Sequence, residues 1–265
     1  MTSDGYSILR GRAALVGHWR LSILTAAILL LSLPIPNAGN AASFETSGNA
    51  ASFETAVQAK TLPASLRREG WRLLEVPGKA TADFKQDQPN RIEIRAENAV
   101  AFLYRSLGDN MGGKRRLAWR WRIDEAVPPT DLSRAPGDDR SLAVHIVFPM
   151  DVSGFSFWER VEMTMTRLVA PPMAGKVLTY VWGGEQAPGS VLANPFFVSR
   201  GKIIVLHSSA EPIGRWLQEE IDFKADFLEA FGYEAPAPTY IAVSADSDDT
   251  GSRSSGIIDD LSFKN

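Results

Sequence analysis

The sequence predicts an all-β fold: an antiparallel β-sandwich of jelly-roll type with two short helices. Three observations lead there. Short runs of alternating apolar and polar residues recur along the chain, separated by clusters of Gly, Pro, Asn and Asp. No strand–helix–strand alternation of the kind that builds a parallel sheet interrupts them. The segment Leu117–Asp124 (LAWRWRID) divides between two faces, with Leu117, Trp119, Trp121 and Ile123 on one and Ala118, Arg120, Arg122 and Asp124 on the other. A strand with one buried face has this period. Burying one indole removes roughly 150–250 Å² of surface, an upper bound of about 4–6 kcal/mol each before entropy. Two on one face anchor a sandwich core.

Taken in order, the first 41 residues read as an export signal. Arg10, Arg12 and Arg20 precede an uncharged run from Leu21 to Leu33. As a helix that run spans about 20 Å, short of a bilayer core of about 30 Å. Pro34 and Pro36 break it, and the small residues Ala38, Gly39, Ala41 and Ala42 follow. This order is that of a secretory signal peptide over residues 1–41, cleaved near Ala38 or Ala41, with an uncleaved anchor as the alternative. It predicts a periplasmic or secreted protein that meets the membrane only through this peptide. No cysteine is present anywhere, which excludes disulfides, thiolate chemistry and a lipidated cysteine anchor.

Without residues 1–41, which hold three of the 28 basic and one of the 31 acidic side chains, 25 basic and 30 acidic remain, a net charge of −5. That is no footprint for nucleic acid. Residues 39–47 (GNAASFETS) recur almost unchanged as residues 48–56 (GNAASFETA). Two copies of so short a unit cannot stack a core, so residues 42–61 read as a linker carrying a tandem duplication.

The folded domain is expected over residues 62–265. Trp71–Val76 is a first strand, closed by Pro77-Gly78. Arg91–Arg95 alternates Ile92 and Ile94 against charges, and Val100–Arg105 is apolar enough to be more central. Gly108–Gly113 is a turn cluster. After the strand of Trp119 and Trp121 comes a loop with Pro128 and Pro129, then Gly137-Asp138-Asp139 and the strand RSLAVHIVF. In that strand Leu142, Val144, Ile146 and Phe148 oppose Ala143, His145 and Val147. Both faces are apolar, as in a central strand, and His145 reads as a hydrogen-bonded histidine of the sheet.

Phe155–Leu168 places Phe157, Trp158, Val161, Met165 and Leu168 at helical spacing and is an amphipathic helix ahead of Pro171-Pro172. Val177–Trp182, Ile203–His207, Trp216–Phe223, Thr239–Ala245 and Ile257–Phe263 read as strands. Ala225–Phe231 is a short helix stopped by Gly232. The total is nine or ten strands and two helices.

The pieces GWRLLEVPGKATADF, AFLYRSL, LAWRWRID, PGDDRSLAVHIVF, LTYVWGG, NPF and DSDDTGSRSSGIIDDLSF stand in this order. Together they resemble a bacterial envelope family known only as a domain of unknown function, DUF3047, over Leu62 to Phe263. The resemblance implies an exported β-sandwich similar to lectin-like and carbohydrate-binding modules. It implies no catalytic residues.

Several residues are candidates for chemistry. Arg120 and Arg122 share a strand face and read either as a solvated outer face or as a guanidinium pair that grips an anionic or sugar ligand. Asp138 and Asp139 point to opposite sides, so they do not share a proton, and one is expected to pair with Arg120 or Arg122. Tyr180 and Trp182 read as either core or an aromatic platform. Asp246, Asp248 and Asp249, ahead of Gly251, form either an Asx-type turn or a site for calcium, whose ligands are oxygens. Glu220 and Asp222 stand two apart on a strand, as paired carboxylates of a glycan hydrolase do, but no third carboxylate follows in the strand. The only histidines after the signal are His145 and His207, both in apolar strands, and no G-x-S-x-G is present, so a nucleophilic triad is not expected.

The expectation is a non-catalytic binding module for carbohydrate or another small envelope ligand, with Arg120, Arg122, Asp138, Asp139, Tyr180 and Trp182 in one cleft. The alternatives are a glycan hydrolase or lyase using strand carboxylates, and a calcium-stabilised structural envelope protein.

Overall fold

The computed structural model of the protein describes residues 62–265 apart from Val198. The expected signal peptide and duplicated linker lie outside the described residues. Twelve strands and three α-helices follow in the order α1 (Ala64–Arg68), β1 (Arg72–Glu75), β2 (Asp83–Lys85), β3 (Ile92–Glu97), β4 (Val100–Ser106), β5 (Arg116–Glu125), β6 (Arg140–Phe148), α2 (Phe157–Val169), β7 (Lys176–Trp182), β8 (Val191–Ala193), β9 (Gly201–His207), β10 (Leu217–Ile221), α3 (Phe223–Phe231), β11 (Tyr240–Asp246) and β12 (Arg253–Lys264). Strands β2 and β8, three residues each, and helix α1, five residues, exceed the sequence expectation. They are too short to display a period.

The strands form two sheets. One has seven strands in the order β1-β4-β11-β6-β7-β9-β8, the other five in the order β10-β5-β12-β3-β2. Strands β5 and β6, consecutive in sequence, therefore belong to different sheets, and the Pro-marked loop between them is a crossover. The expected antiparallel pattern holds except that β7 and β9 run parallel. After β7 the chain passes to the sheet edge as β8 and returns as β9 between them.

The core lies between the sheets. Leu117, Trp119, Trp121 and Ile123 of β5 face Leu142, Val144, Ile146 and Phe148 of β6 and Leu178, Tyr180 and Trp182 of β7, all of them buried. Aromatic rings bridge the layers: Trp119 lies 6.0 Å from Tyr180 and Trp121 lies 5.6 Å from Trp182, centroid to centroid. Offset and edge-on ring pairs of this kind add to area burial. The loop between β5 and β6 folds over the outer side of the seven-stranded sheet, where Leu132 packs on Ala143, Val181, Ile203 and Val205. Gly184 permits that approach, because its φ is +77° and a Cβ there would stand 2.5 Å from Leu132 Cδ1.

Helix α3 is locally specified. Asp222 caps its N-terminus by accepting from Ala225 N–H (3.0 Å), and Gly232 ends it in the left-handed region. Helix α2 begins two residues later than the apolar run, and Phe157, expected on its buried face, is 63% exposed. Among the described residues no helix is long and apolar enough to cross a membrane.

Candidate functional site

The structure does not assemble the expected cleft. Tyr180 and Trp182, at 0% and 1% exposure, are core residues, because residues 178, 180 and 182 of β7 point between the sheets. Tyr180 Oη donates to Asp226 Oδ2 (2.7 Å) on α3, and the Trp182 ring lies against Trp121 and His207. Neither ring meets solvent. The sequence left their direction open because both faces of β7 are apolar.

Arg120 and Arg122 stand instead on the outer face of the five-stranded sheet, opposite the two indoles of their own strand. Asp138 and Asp139 immediately precede β6 of the other sheet and are buried. They bond different partners, and neither pairs with Arg120 or Arg122. Asp138 pairs with Arg140 (3.1 Å), two residues on. Asp139 accepts from Asp249 N–H (3.2 Å), Thr250 N–H (2.8 Å) and the Thr250 hydroxyl (2.6 Å). The crossover between β5 and β6 separates the two groups.

What Arg120 and Arg122 do meet is Trp216, the residue before edge strand β10. The guanidinium carbons of Arg120, Arg122 and Arg91 lie 4.9, 5.3 and 5.6 Å from the centre of its ring, within cation–π range. The antiparallel register of β10 with β5, Leu217 opposite Trp121, carries Trp216 up to Arg122. Carboxylates interleave with the cations. Buried Asp259 accepts from Arg91 Nε and Nη2 (3.0 Å each) and from Arg120 Nη2 (2.8 Å). Asp260 pairs with Arg120 (3.2 Å) and Asp124 with Arg122 (2.7 Å). A bulge in β12 between Asp259 and Ser262, with Asp260 at φ +58°, presents both aspartates to Arg120. Trp216, Arg91 and Asp259 were not legible as partners of Arg120. Their only sequence signal is that Trp216 starts an alternating segment.

A second cluster gathers where three connections cross between the sheets: β1 to β2, β5 to β6, and β11 to β12. Arg140 is buried between Asp138 (3.1 Å) and Asp246 (3.3 Å). Burial opposes its charge, but Asp246, Asp138 and Asp139 outweigh that and hold its pKa above the usual arginine value. Burial raises the Asp138 carboxyl despite Arg140. It raises Asp246 well above the carboxylate range, again despite Arg140, with Asp248, Asp138 and Asp139 adding to the rise. Lys79 pairs with Asp248 and Asp249, and the hydrogen bond to Asp248 is the main cause of its raised pKa. Ligand atoms of Asp139, Asp246 and Asp248 lie within 4.8 Å of one another. Asp249, expected in that set, instead accepts from Gly137 N–H (2.7 Å) and pairs with Lys79. Asp139 takes its place because β6 and β11 are sheet neighbours.

The remaining carboxylates do not form a hydrolytic pair. Glu220 is on the outer side of β10, paired with Lys264 (2.7 Å) and Arg116 (3.6 Å), and Asp222 caps α3. Both are remote in the fold from buried Asp138 and Asp139. It is Glu219 that turns inward, where Oε1 accepts from Trp121 Nε1–H (3.0 Å) and bonds His207 Nε2 (2.8 Å). His145 is the hydrogen-bonded sheet histidine that was expected, between Thr179 Oγ1 (3.0 Å) and Ser244 Oγ (2.8 Å).

Among solved structures the chain is similar to the xyloglucanase domain of NopAA, a type three effector from Sinorhizobium fredii, in complex with cellobiose. The identity is 9% and the TM-score 0.40, over 74% of this chain and 94% of that one. It is similar to a thermo-stable cellulase derived from Cel12A of Rhodothermus marinus, at 11% identity and TM-score 0.41, over 74% and 91%. A loop-swap mutant of Xyn11A from Necallimastix patriciarum follows at 10% and 0.34, over 74% and 96%. No curated protein matches. The pattern of the family described as "Protein of unknown function (DUF3047)" matches residues 69–262, and with most of its length matched, the chain belongs to that family.

Proposed function

We propose that the chain is an exported, non-catalytic binding module for carbohydrate, and that its ligand face is the outer side of the five-stranded sheet around Trp216. One observation carries this reading: three guanidinium groups and three carboxylates surround a single half-buried indole on an outer sheet face. An indole stacks on the C–H face of a sugar ring. Guanidinium forks donate and carboxylates accept, and a sugar hydroxyl does both. Because the cations are already balanced by Asp259, Asp260 and Asp124, a neutral sugar suits the face better than a bare anion. Export rests on the basic, apolar and small-residue order of residues 1–41.

The glycan-hydrolase alternative requires two carboxyl groups facing one open cleft. Asp138 and Asp139 are buried at the crossovers, whereas Glu220 and Asp222 are held in surface ion pairs. That separation removes these four residues as a catalytic set.

Calorimetric titration with soluble neutral polysaccharides, such as a mixed-linkage β-glucan and xylan, tests the reading. Binding is expected to survive added salt. Trp216→Ala is expected to weaken it about tenfold, or about 1.4 kcal/mol. No heat with any neutral polysaccharide, or equal affinity in the variant, overturns the assignment.

A further inference from the structure

We propose that Asp139, Asp246 and Asp248 bind one hard divalent cation of the calcium class, which laces together the crossovers between the two sheets. The set is made of oxygen ligands alone, as calcium prefers and zinc does not. It draws one residue from the loop just before β6, one from the end of β11 and one from the turn after β11.

Convergence of carboxylates alone would not justify a cation. The independent observation is Asp246. It is 7% exposed, and its Oδ1 is buried with no hydrogen-bond partner. Arg140 takes only Oδ2 (3.3 Å), and the neighbour that bonds the Asp246 carboxyl, Asp248, is itself an acid that shares a proton with it and brings no N–H donor. A buried acceptor left unmatched is destabilising, more so when the group is charged. A cation seated among the three carboxyls supplies what Oδ1 lacks.

Charge points the same way. Five carboxyl groups, Asp138, Asp139, Asp246, Asp248 and Asp249, share two side-chain cations, Arg140 and Lys79. Lys79 engages Asp248 and Asp249 but not Asp246. Calcium takes 6–8 oxygens at about 2.3–2.6 Å and tolerates irregular geometry, whereas magnesium demands a near-regular octahedron. Three carboxylates set by three different segments suit the former.

The test uses the whole chain, stripped with EDTA and exchanged into chelator-free buffer. Calorimetry with calcium chloride is expected to show one site per chain, and calcium is expected to raise the melting temperature more than magnesium does. Asp246→Asn and Asp248→Asn are each expected to weaken calcium binding about tenfold or more, because affinity follows ligand charge. Asp249→Asn, which leaves the three ligands intact, is expected to keep the calcium response. If Asp246→Asn fails to fold, Asp248→Asn decides, since that residue lies in the turn. Absence of calcium heat together with a melting temperature unmoved by EDTA and calcium overturns the proposal. So does an undiminished response in Asp248→Asn.

Discussion

His145 shows how far one side chain was legible. Its place in an apolar strand said that it would be hydrogen-bonded within the sheet, and Thr179 and Ser244 from the two neighbouring strands provide those bonds. Burial, with the Arg140 charge adding, pushes its pKa down from 6.5 to about 3. A histidine with a lowered folded pKa stabilises the fold fully above the unfolded value. That stability is lost as pH falls from 6.5 toward about 3, because the unfolded chain takes up the proton first. Asp138, Asp226 and Asp246 act with the opposite sign. Their folded pKa values are raised by burial, so they favour the folded state as pH falls through those values. His145→Gln isolates the histidine from them. Between about pH 7 and about pH 4.5 the variant is expected to lose about 2–3 kcal/mol less than the parent in urea melts. Equal losses in both proteins would assign the acid sensitivity elsewhere.

Elements were legible wherever they ran long enough to show a period. Strands β5 and β6 and helix α3 fall within two residues of their expected bounds, because alternation and a terminal Gly are written locally, whereas the Asp222 cap stood inside an expected strand. Strand β12 starts four residues before its expected start, because Arg253–Gly256 pair with β3. Gly256 lies where a Cβ would come within 2.6 Å of Arg122 O and 2.8 Å of Leu142 Cδ1, so β12 is drawn close to β5 and to the opposing layer. Gly256→Ala is expected to cost about 1–3 kcal/mol, seen as a melting temperature lower by about 3–10 °C for a domain of this size. An unchanged melting temperature would show that the layers are not held at that distance. Only the paired strands reveal why a glycine stands there.

At the scale of the whole molecule, the two sheets are joined by rings. Trp121 touches Trp119 in its own strand and Trp182 and His207 across the core, and its N–H is held by Glu219. Trp121→Ala opens a cavity against both layers and leaves Glu219 without one of its donors. The expected loss is about 3–5 kcal/mol by chemical denaturation. Near-ultraviolet circular dichroism and far-ultraviolet signals are expected to fall together, since neither sheet keeps a core without the other. Two separated transitions would contradict a single shared core.

Which strand faces are apolar, where the turns lie, and that the domain is a layered β structure could all be read along the chain. These depend on period and on local backbone chemistry, which neighbours in sequence carry. That β5 and β6 lie in opposite sheets, that Tyr180 and Trp182 are core, and that Arg120 faces Trp216 and Asp259 emerges only in the folded chain. So does the place of Asp139, rather than Asp249, beside Asp246. Each of these depends on which distant strands pair and in which register. That choice is set by how the two apolar faces bury each other, which no single segment encodes.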